Sequence, residues 1–300
     1  MRIKNRASLI GLLLGLAMIT AACSSSDTAD TTTTTAAPAT TTTAVAFDLN
    51  ASVDEYLSAL PEGFLAVGDV DVFKEGVEAS GALVIDVREV GEYEEGHIPG
   101  AVNIPIRTLA ANLDKVPTDR QIYVYCKSGF RAGQALSSLG MLGYDNVLSY
   151  KPGWNGWTEA AQEVSTEAAT AEVVGAPDIE PELLAAVDGF LSTIPEGFYS
   201  AGDPAAVQEA SDAGAALIDV RTAGEFADGY IEGAANIDLR NIAKDIDAVP
   251  TDANVITYCG SGHRSAMAVA ALHVLAADNV KGYGGSYTSL VDGGLPVTTP

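Results

Sequence analysis

A stretch read near residue 86 is read again near residue 219. Leu83-Val84-Ile85-Asp86-Val87-Arg88 returns as Ala216-Leu217-Ile218-Asp219-Val220-Arg221, and Glu92 returns as Glu225. Gly96, Gly100-Ala101 and Asn103-Ile104 match Gly229, Gly233-Ala234 and Asn236-Ile237, and Val116-Pro117-Thr118-Asp119 matches Val249-Pro250-Thr251-Asp252. Tyr125-Cys126 and Arg131 return as Tyr258-Cys259 and Arg264, always 133 residues on. A lead-in also recurs, Leu57 to Phe64 as Leu191 to Phe198, with an offset of 134. A unit this long is a duplicated domain and not a solenoid repeat. Two such units fit a 300-residue chain at roughly 100–200 residues per domain. We place the units at 48–165 (core 76–160) and 182–300 (core 209–297), joined by a linker at 166–181 rich in Ala, Thr and Glu.

Each unit reads as α/β. Leu83 to Val87 and Ile122 to Tyr125 are short runs of β-branched and aromatic residues bounded by turn signals, as buried strands are, and Val147-Leu148 suggests another. After Cys126, Ala132, Ala135, Leu136 and Leu139 have helical spacing that stops at Gly140. Ser52-Val53-Asp54-Glu55 predicts a capping box, and Asp203-Pro204 predicts an N-cap followed by proline in the first helical turn. Alternating strands and helices predict a mainly parallel sheet flanked by helices in each unit.

The chemistry falls where a strand ends and a helix begins. Cys126-Lys127-Ser128-Gly129-Phe130-Arg131 and Cys259-Gly260-Ser261-Gly262-His263-Arg264 occupy matching places. Ligands of open α/β sheets bind at strand carboxyl ends, where loop amides and a helix N-terminus favour an anion. A thiolate is such an anion, and Gly129 and Gly262 let the backbone close around it. Arg131 and Arg264 add a fixed charge able to grip an oxyanion. Lys127 adds another beside Cys126. A disulfide between Cys126 and Cys259 would need the two loops face to face, within about 7 Å between Cα atoms, and we expect free thiols. No His/Cys/Asp spacing suggests a metal site.

These motifs resemble the rhodanese family. The resemblance rests on Ile-Asp-Val-Arg, on Glu92-Tyr93-x-x-Gly96-His97-Ile98-x-Gly100-Ala101-x-Asn103-Ile104, and on the six-residue Cys-x-x-Gly-x-Arg loop; it covers nearly all of 76–160 and 209–297. It implies two tandem rhodanese-like domains without a cofactor. It also implies that Cys126 and Cys259 are catalytic, with Lys127, Ser128, Gly129, Phe130, Arg131, Gly260, Ser261, Gly262, His263 and Arg264 around the substrate. In that chemistry the cysteine attacks the outer sulfur of a donor such as thiosulfate, releases sulfite, and passes the persulfide sulfur to cyanide or a thiol. A protein sulfur acceptor is a further partner, and a persulfide or polysulfide carrier, or a sulfur-binding module, with little small-molecule turnover is the alternative function. Related phosphatases place five residues between Cys and Arg; the four here make a narrower ring, suited to one sulfur. Cys259-Gly260-Ser261-Gly262 resembles the start of the mercaptopyruvate sulfurtransferase loop, but the later residues do not match.

The remaining recurring residues read as scaffold. Arg88 and Glu92, four apart, are expected to pair, with Asp86 tying the strand end to a loop. His97 becomes Tyr230 in the second unit and is not expected to be a base. His263 is expected to tune the second loop, His273 to be inert, and Trp154 and Trp157 to pack in the core as Tyr287 and Leu290 do.

The first fifty residues are of another kind. Arg2, Lys4 and Arg6 precede an apolar run from Leu9 to Ile19 and a small-residue exit at Thr20-Ala21-Ala22-Cys23. This predicts a signal peptide over 1–22 and, by resemblance to bacterial lipoproteins, lipidation of Cys23, although Thr20 departs from that pattern. The Ser- and Thr-rich stretch 23–47 reads as a disordered stalk. The expected location is therefore the cell envelope, outside the cytoplasm and lipid-anchored to the membrane. The net charge is −24, and −27 once the three leader cations are removed. That excess argues against nucleic-acid binding and should slow anionic donors, an effect that salt relieves.

Overall fold

The computed structural model describes residues 46–299. The signal segment, Cys23 and most of the Thr-rich stalk lie outside the described residues. The first repeat runs α1 (Leu49–Ser58), β1 (Ala66–Val67), α2 (Val70–Ser80), β2 (Leu83–Asp86), α3 (Val90–Glu94), β3 (Val102–Asn103), β4 (Ile122–Tyr125), α4 (Phe130–Met141), β5 (Val147–Tyr150) and α5 (Gly153–Glu159). The second runs α6 (Pro181–Thr193), α7 (Pro204–Asp212), β6 (Ala216–Asp219), α8 (Ala223–Ala227), β7 (Tyr230–Ile231), β8 (Ala235–Asn236), β9 (Val255–Tyr258), α9 (His263–Val274), β10 (Val280–Gly282), α10 (Tyr287–Asp292) and β11 (Val297–Thr298).

The first sheet has the order β1-β5-β4-β2-β3 and the second β10-β9-β6-β8, and every pairing in both is parallel. The two registers repeat each other: Asp86 lies opposite Tyr125, and Asp219 opposite Tyr258. The expected α/β architecture is therefore present in both repeats. One cap differs from expectation. Asp48, not Ser52, caps α1, its carboxylate accepting the Ala51 N–H at 3.0 Å. Asp48 lies four residues upstream of Ser52, so the helix starts a turn earlier. Asp203 does cap α7, with Pro204 in the first turn. Residues 162–180 are not helical; Ser165 bridges His97 in antiparallel fashion, and Val174 N–H reaches the Asp114 carbonyl at 2.7 Å.

The cores explain which faces are apolar. The outer face of each sheet has its own cluster, around Phe73, Tyr123, Tyr125 and Trp157 in one repeat and Val207, Ile256, Tyr258 and Leu290 in the other. The inner faces share a single core in which α4 and α9 pack together, so residues Arg131 to Leu139 are all buried. The two helices meet closely at Gly133, where an added Cβ would sit 2.9 Å from that of Ala266.

The lead-ins cross over. Helix α1 packs beside Leu239–Asn241 of the second repeat, and Asn50 donates to the Ala243 carbonyl at 3.0 Å. Helix α6 packs on Ile106–Lys115 of the first repeat. Val53 and Leu57 of α1 are fully buried, and each contributes about 1.5–3 kcal/mol of apolar burial to holding the exchanged helix.

Candidate active site

Strand β4 is buried along its length and delivers Cys126 at its carboxyl end; β9 delivers Cys259 in the same way. Both thiols are free and almost fully buried, at 1% and 0% exposure. The loop turns on Gly129, at φ +92°, and Gly262, at φ +79°. A Cβ on Gly129 would fall 2.4 Å from the Lys151 carbonyl oxygen, and one on Gly262 would fall 2.1 Å from that of Gly284. Glycine is thus required twice over, by backbone conformation and by space.

The first carbonyls of each loop are held by the amides of the segment that follows the next strand. Trp154 N–H takes the Cys126 carbonyl at 2.8 Å and Asn155 N–H takes that of Lys127 at 2.9 Å; Tyr287 N–H takes the Cys259 carbonyl at 2.8 Å. Gly153, at φ +61°, lets the start of α5 approach, since a Cβ there would lie 2.4 Å from the Cys126 carbonyl oxygen. With its carbonyls so held, the loop presents the Gly129 N–H to Cys126 Sγ at 3.2 Å. The second loop shows no matching bond among the described residues.

The charged residues pair differently from expectation. Arg88 does not meet Glu92. It forks onto Asp86 from the same strand end, with Nη2 2.6 Å and Nε 2.9 Å from Oδ2, and also donates to the Gly96 carbonyl at 2.7 Å. Arg221 and Asp219 repeat this. Two residues along an extended strand end put both side chains on one face, whereas Glu92 has moved onto α3. From there Glu92 holds Arg131 with two bonds, of 2.6 and 2.8 Å, and Glu225 holds Arg264 with two of 2.6 Å. Arg131 and Arg264 are therefore neutralised partners, not free anion clamps. Burial works against their charge, but the hydrogen-bonded carboxylates and the neighbouring cysteines outweigh it and keep both above the ordinary arginine value. Hydrogen bonding from Arg264 pulls Glu225 down to about 2, and Arg131 lowers Glu92 in the same way.

The aromatic residues divide. Trp157 and Leu290 are core, but Trp154 lies over Arg88 at 4.7 Å and Tyr287 over Arg221 at 4.0 Å, so these two rings cover a buried cation. His97 is buried, stacked on Tyr93 and bonded to backbone carbonyls. His273 is likewise bonded to the Val280 carbonyl.

Cys126, Lys127, Ser128, Phe130 and Arg131 line an open cleft of about 1100 Å³ between the repeats. Its far wall comes from the second repeat: Ile194, Glu196, Phe198, Asp203 and the Tyr283-Gly284-Gly285 turn. Gly129 is not among the residues that line it. Exposed Lys127 stands at the rim, and Glu89, Glu196 and Asp203 also face in, so the cleft is not strongly cationic. None of the second loop lines this cleft. Gly260 and Ser261 are exposed elsewhere, while His263 is buried against the first repeat with Nε2 3.0 Å from the Phe64 carbonyl. Burial pushes the His263 imidazole down to about 4, so it is neutral and faces the repeat interface, not a substrate. No local sequence pattern marks Gly153, Phe64, Phe198 or Arg107 as part of the site. Only the recurrence of the lead-in marked the two phenylalanines.

A family model described as "Rhodanese-like domain" matches residues 69–160 and 203–296. The Bacillus subtilis protein YrkF, whose name proposes a sulfur-carrier role for it, is 34% identical over 105 residues, 35% of this chain and 54% of that one. The chain thus spans about half the length of that relative. A sulfurtransferase of Allochromatium vinosum is 35% identical over 75 residues, covering 25% of this chain and 70% of that one. Among solved structures, SseA of Escherichia coli, described with the 3-mercaptopyruvate sulfotransferases, aligns over 74% of this chain and 98% of its own at 24% identity and a TM-score of 0.38.

Proposed function

The chain belongs to the rhodanese-like family, with two copies of the domain in tandem, and from that premise we propose that it is a sulfurtransferase working through cysteine persulfides. The observation that carries this reading is the Cys126 thiol at the floor of the interdomain cleft, with the Gly129 amide donating to its sulfur in a four-residue Cys-to-Arg loop. In the first half-reaction the thiolate attacks the outer sulfur of thiosulfate. The new S–S bond forms as the old one breaks, and sulfite leaves with the electron pair. The enzyme then holds an anionic persulfide, which the inward amide and the dipole of α4 stabilise without rearrangement. In the second half-reaction cyanide or a thiolate attacks the terminal sulfur and the cysteine leaves as thiolate. The products are thiocyanate or a hydropersulfide.

A carrier role is the second reading. The near-complete burial of both cysteines favours it, because a persulfide with so little exposed surface reacts slowly with stray thiols. We place the protein on the outer side of a membrane, held through a lipid on Cys23 and a Thr-rich stalk, on the strength of the leader residues alone.

One set of assays tests these readings. The reduced mature chain is incubated with thiosulfate, then cyanide, and thiocyanate is measured for wild type, Cys126→Ser, Cys259→Ser and the double variant. Turnover is expected to fall with Cys126→Ser and to vanish in the double variant. A stoichiometric persulfide without turnover would establish the carrier, and no sulfur on either cysteine by intact mass would sink both readings.

A further inference from the structure

Two turns in the lead-ins have a backbone that their sequences disfavour. Gly197, Phe198 and Tyr199 have φ of +87°, +56° and +58°, and Gly63, Phe64 and Leu65 have +84°, +52° and +55°. Left-handed backbone is ordinary for glycine but strained for the aromatic or aliphatic residues that follow, and such strain lasts only where surroundings enforce it. Here the enforcing groups belong to the opposite repeat. Arg107 donates to the Ile194 carbonyl at 2.7 Å and the Pro195 carbonyl at 2.9 Å, and Gln134 donates to that of Phe198 at 2.9 Å. Across the pseudo-symmetric boundary, Arg240 donates to Leu60 at 2.8 Å and Pro61 at 3.1 Å, and His263 bonds Phe64 at 3.0 Å. Gln134 and His263 do not occupy equivalent positions in the repeats. The arginine clamp is the same in both turns, while the bond to the phenylalanine carbonyl comes from different residue types at different positions, which points to the geometry itself being what is kept.

The product of each turn is a ring under two guanidiniums. Phe198 lies 4.5 Å from Arg131 and 4.7 Å from Arg107, while Phe64 lies 4.9 Å from Arg264 and 4.4 Å from Arg240. We infer that each cysteine site is shared between the repeats, with Phe198 of the second repeat positioning Arg131 beside Cys126 and Phe64 of the first positioning Arg264 beside Cys259. The two bonds to Glu92 fix the Arg131 guanidinium within its plane; the ring face fixes it perpendicular to that plane. Glu92 and Glu225 are only partly buried and sit on five-residue helices, so the carboxylates alone leave the pairs free to swing. Arg264 also lies close along its loop, Nη2 being 3.2 Å from where a Gly260 Cβ would be. The inference builds on the reading of both cysteines as working nucleophiles, but not on which sulfur compound they use.

The signature is a crossed phenotype, read as the iodoacetamide labelling rate of each cysteine in the full chain by peptide mass spectrometry. Leu keeps the apolar bulk of Phe and removes its π face, while Trp keeps both. Phe198→Leu is expected to slow labelling of Cys126 about tenfold and leave Cys259 within about twofold, with Phe64→Leu doing the reverse. Phe198→Trp should recover most of the Cys126 rate, and Arg131→Lys should leave Phe198→Leu nothing further to remove. Losses confined to the cysteine of the mutated repeat, equal losses at both cysteines, or no loss would each overturn the inference. Labelling needs no sulfur donor, so a chain with the crossed pattern but no sulfur transfer would refute the proposed function and keep this inference.

Discussion

Replacing Gly129 by Ala tests how tightly the first loop is built. The substitution forces a Cβ into left-handed backbone at φ +92°, which costs about 1–2 kcal/mol. It also drives that Cβ to 2.4 Å from the Lys151 carbonyl oxygen. This carbonyl cannot easily retreat, because Lys151 N–H is bonded to Val67 at 2.9 Å beyond the β1–β5 pairing. Forcing backbone apart costs a further ~1–3 kcal/mol, so Gly129→Ala should lose about 2–5 kcal/mol in all. Gly143→Ala is the matched control. Its φ is +89°, but no atom lies within 4 Å of the added Cβ, so only the backbone cost of about 1–2 kcal/mol applies. Urea denaturation of both variants, with midpoints and slopes compared, isolates the close-approach component. The same displacement lifts the amide from Cys126 Sγ, so Cys126 labelling should slow in Gly129→Ala and not in Gly143→Ala. Equal destabilisation of the two variants would refute the argument that the Lys151 backbone shapes the loop.

Other expectations follow from the same contacts. Arg88→Lys cannot reproduce the fork onto Asp86 or the bond to Gly96, and leaving Asp86 buried and underpaired should cost about 3–5 kcal/mol by urea denaturation, with Arg221→Lys behaving alike. Glu225, held down to about 2, remains ionised in the fold after the unfolded chain has begun to protonate. Its contribution is complete above about pH 4.5 and fades as pH falls toward 2, so Glu225→Gln should flatten the urea midpoint across that window. His263, held near 4 by burial, resists the proton that the unfolded chain accepts near 6.5. Stability should therefore drop as pH falls from about 6.5 to 4, and His263→Gln should remove that part of the drop. A midpoint that rises over the same range would contradict the assigned burial.

How much of this was legible depends on the range of the interaction. The strands, the Cys loops and the Asp203 cap are written in consecutive residues, since alternation, turn glycines and N-caps act over a few positions. The Arg88–Glu92 pairing failed because side chains four apart meet only on a continuous helix, and a strand end and a loop intervene here. The sequence at Trp154 suggests a core residue, but its face covers Arg88, a role that depends on where α5 begins relative to β2. His263 looked like a loop residue facing substrate. It directly follows the left-handed Gly262, is already helical, and bonds to the other repeat.

Duplication, the parallel α/β units and the placement of a thiol at each strand end were determined by the sequence, because they follow from local patterns repeated at a fixed interval. Tertiary structure alone decided that the lead-ins exchange, that α4 and α9 share one core, and that Cys126 opens onto a cleft walled by the second repeat. The reason is physical. Apolar faces on α1, α4, α6 and α9 specify that something must cover them, but which partner does so is set by packing shape between segments more than a hundred residues apart, and no local pattern records it.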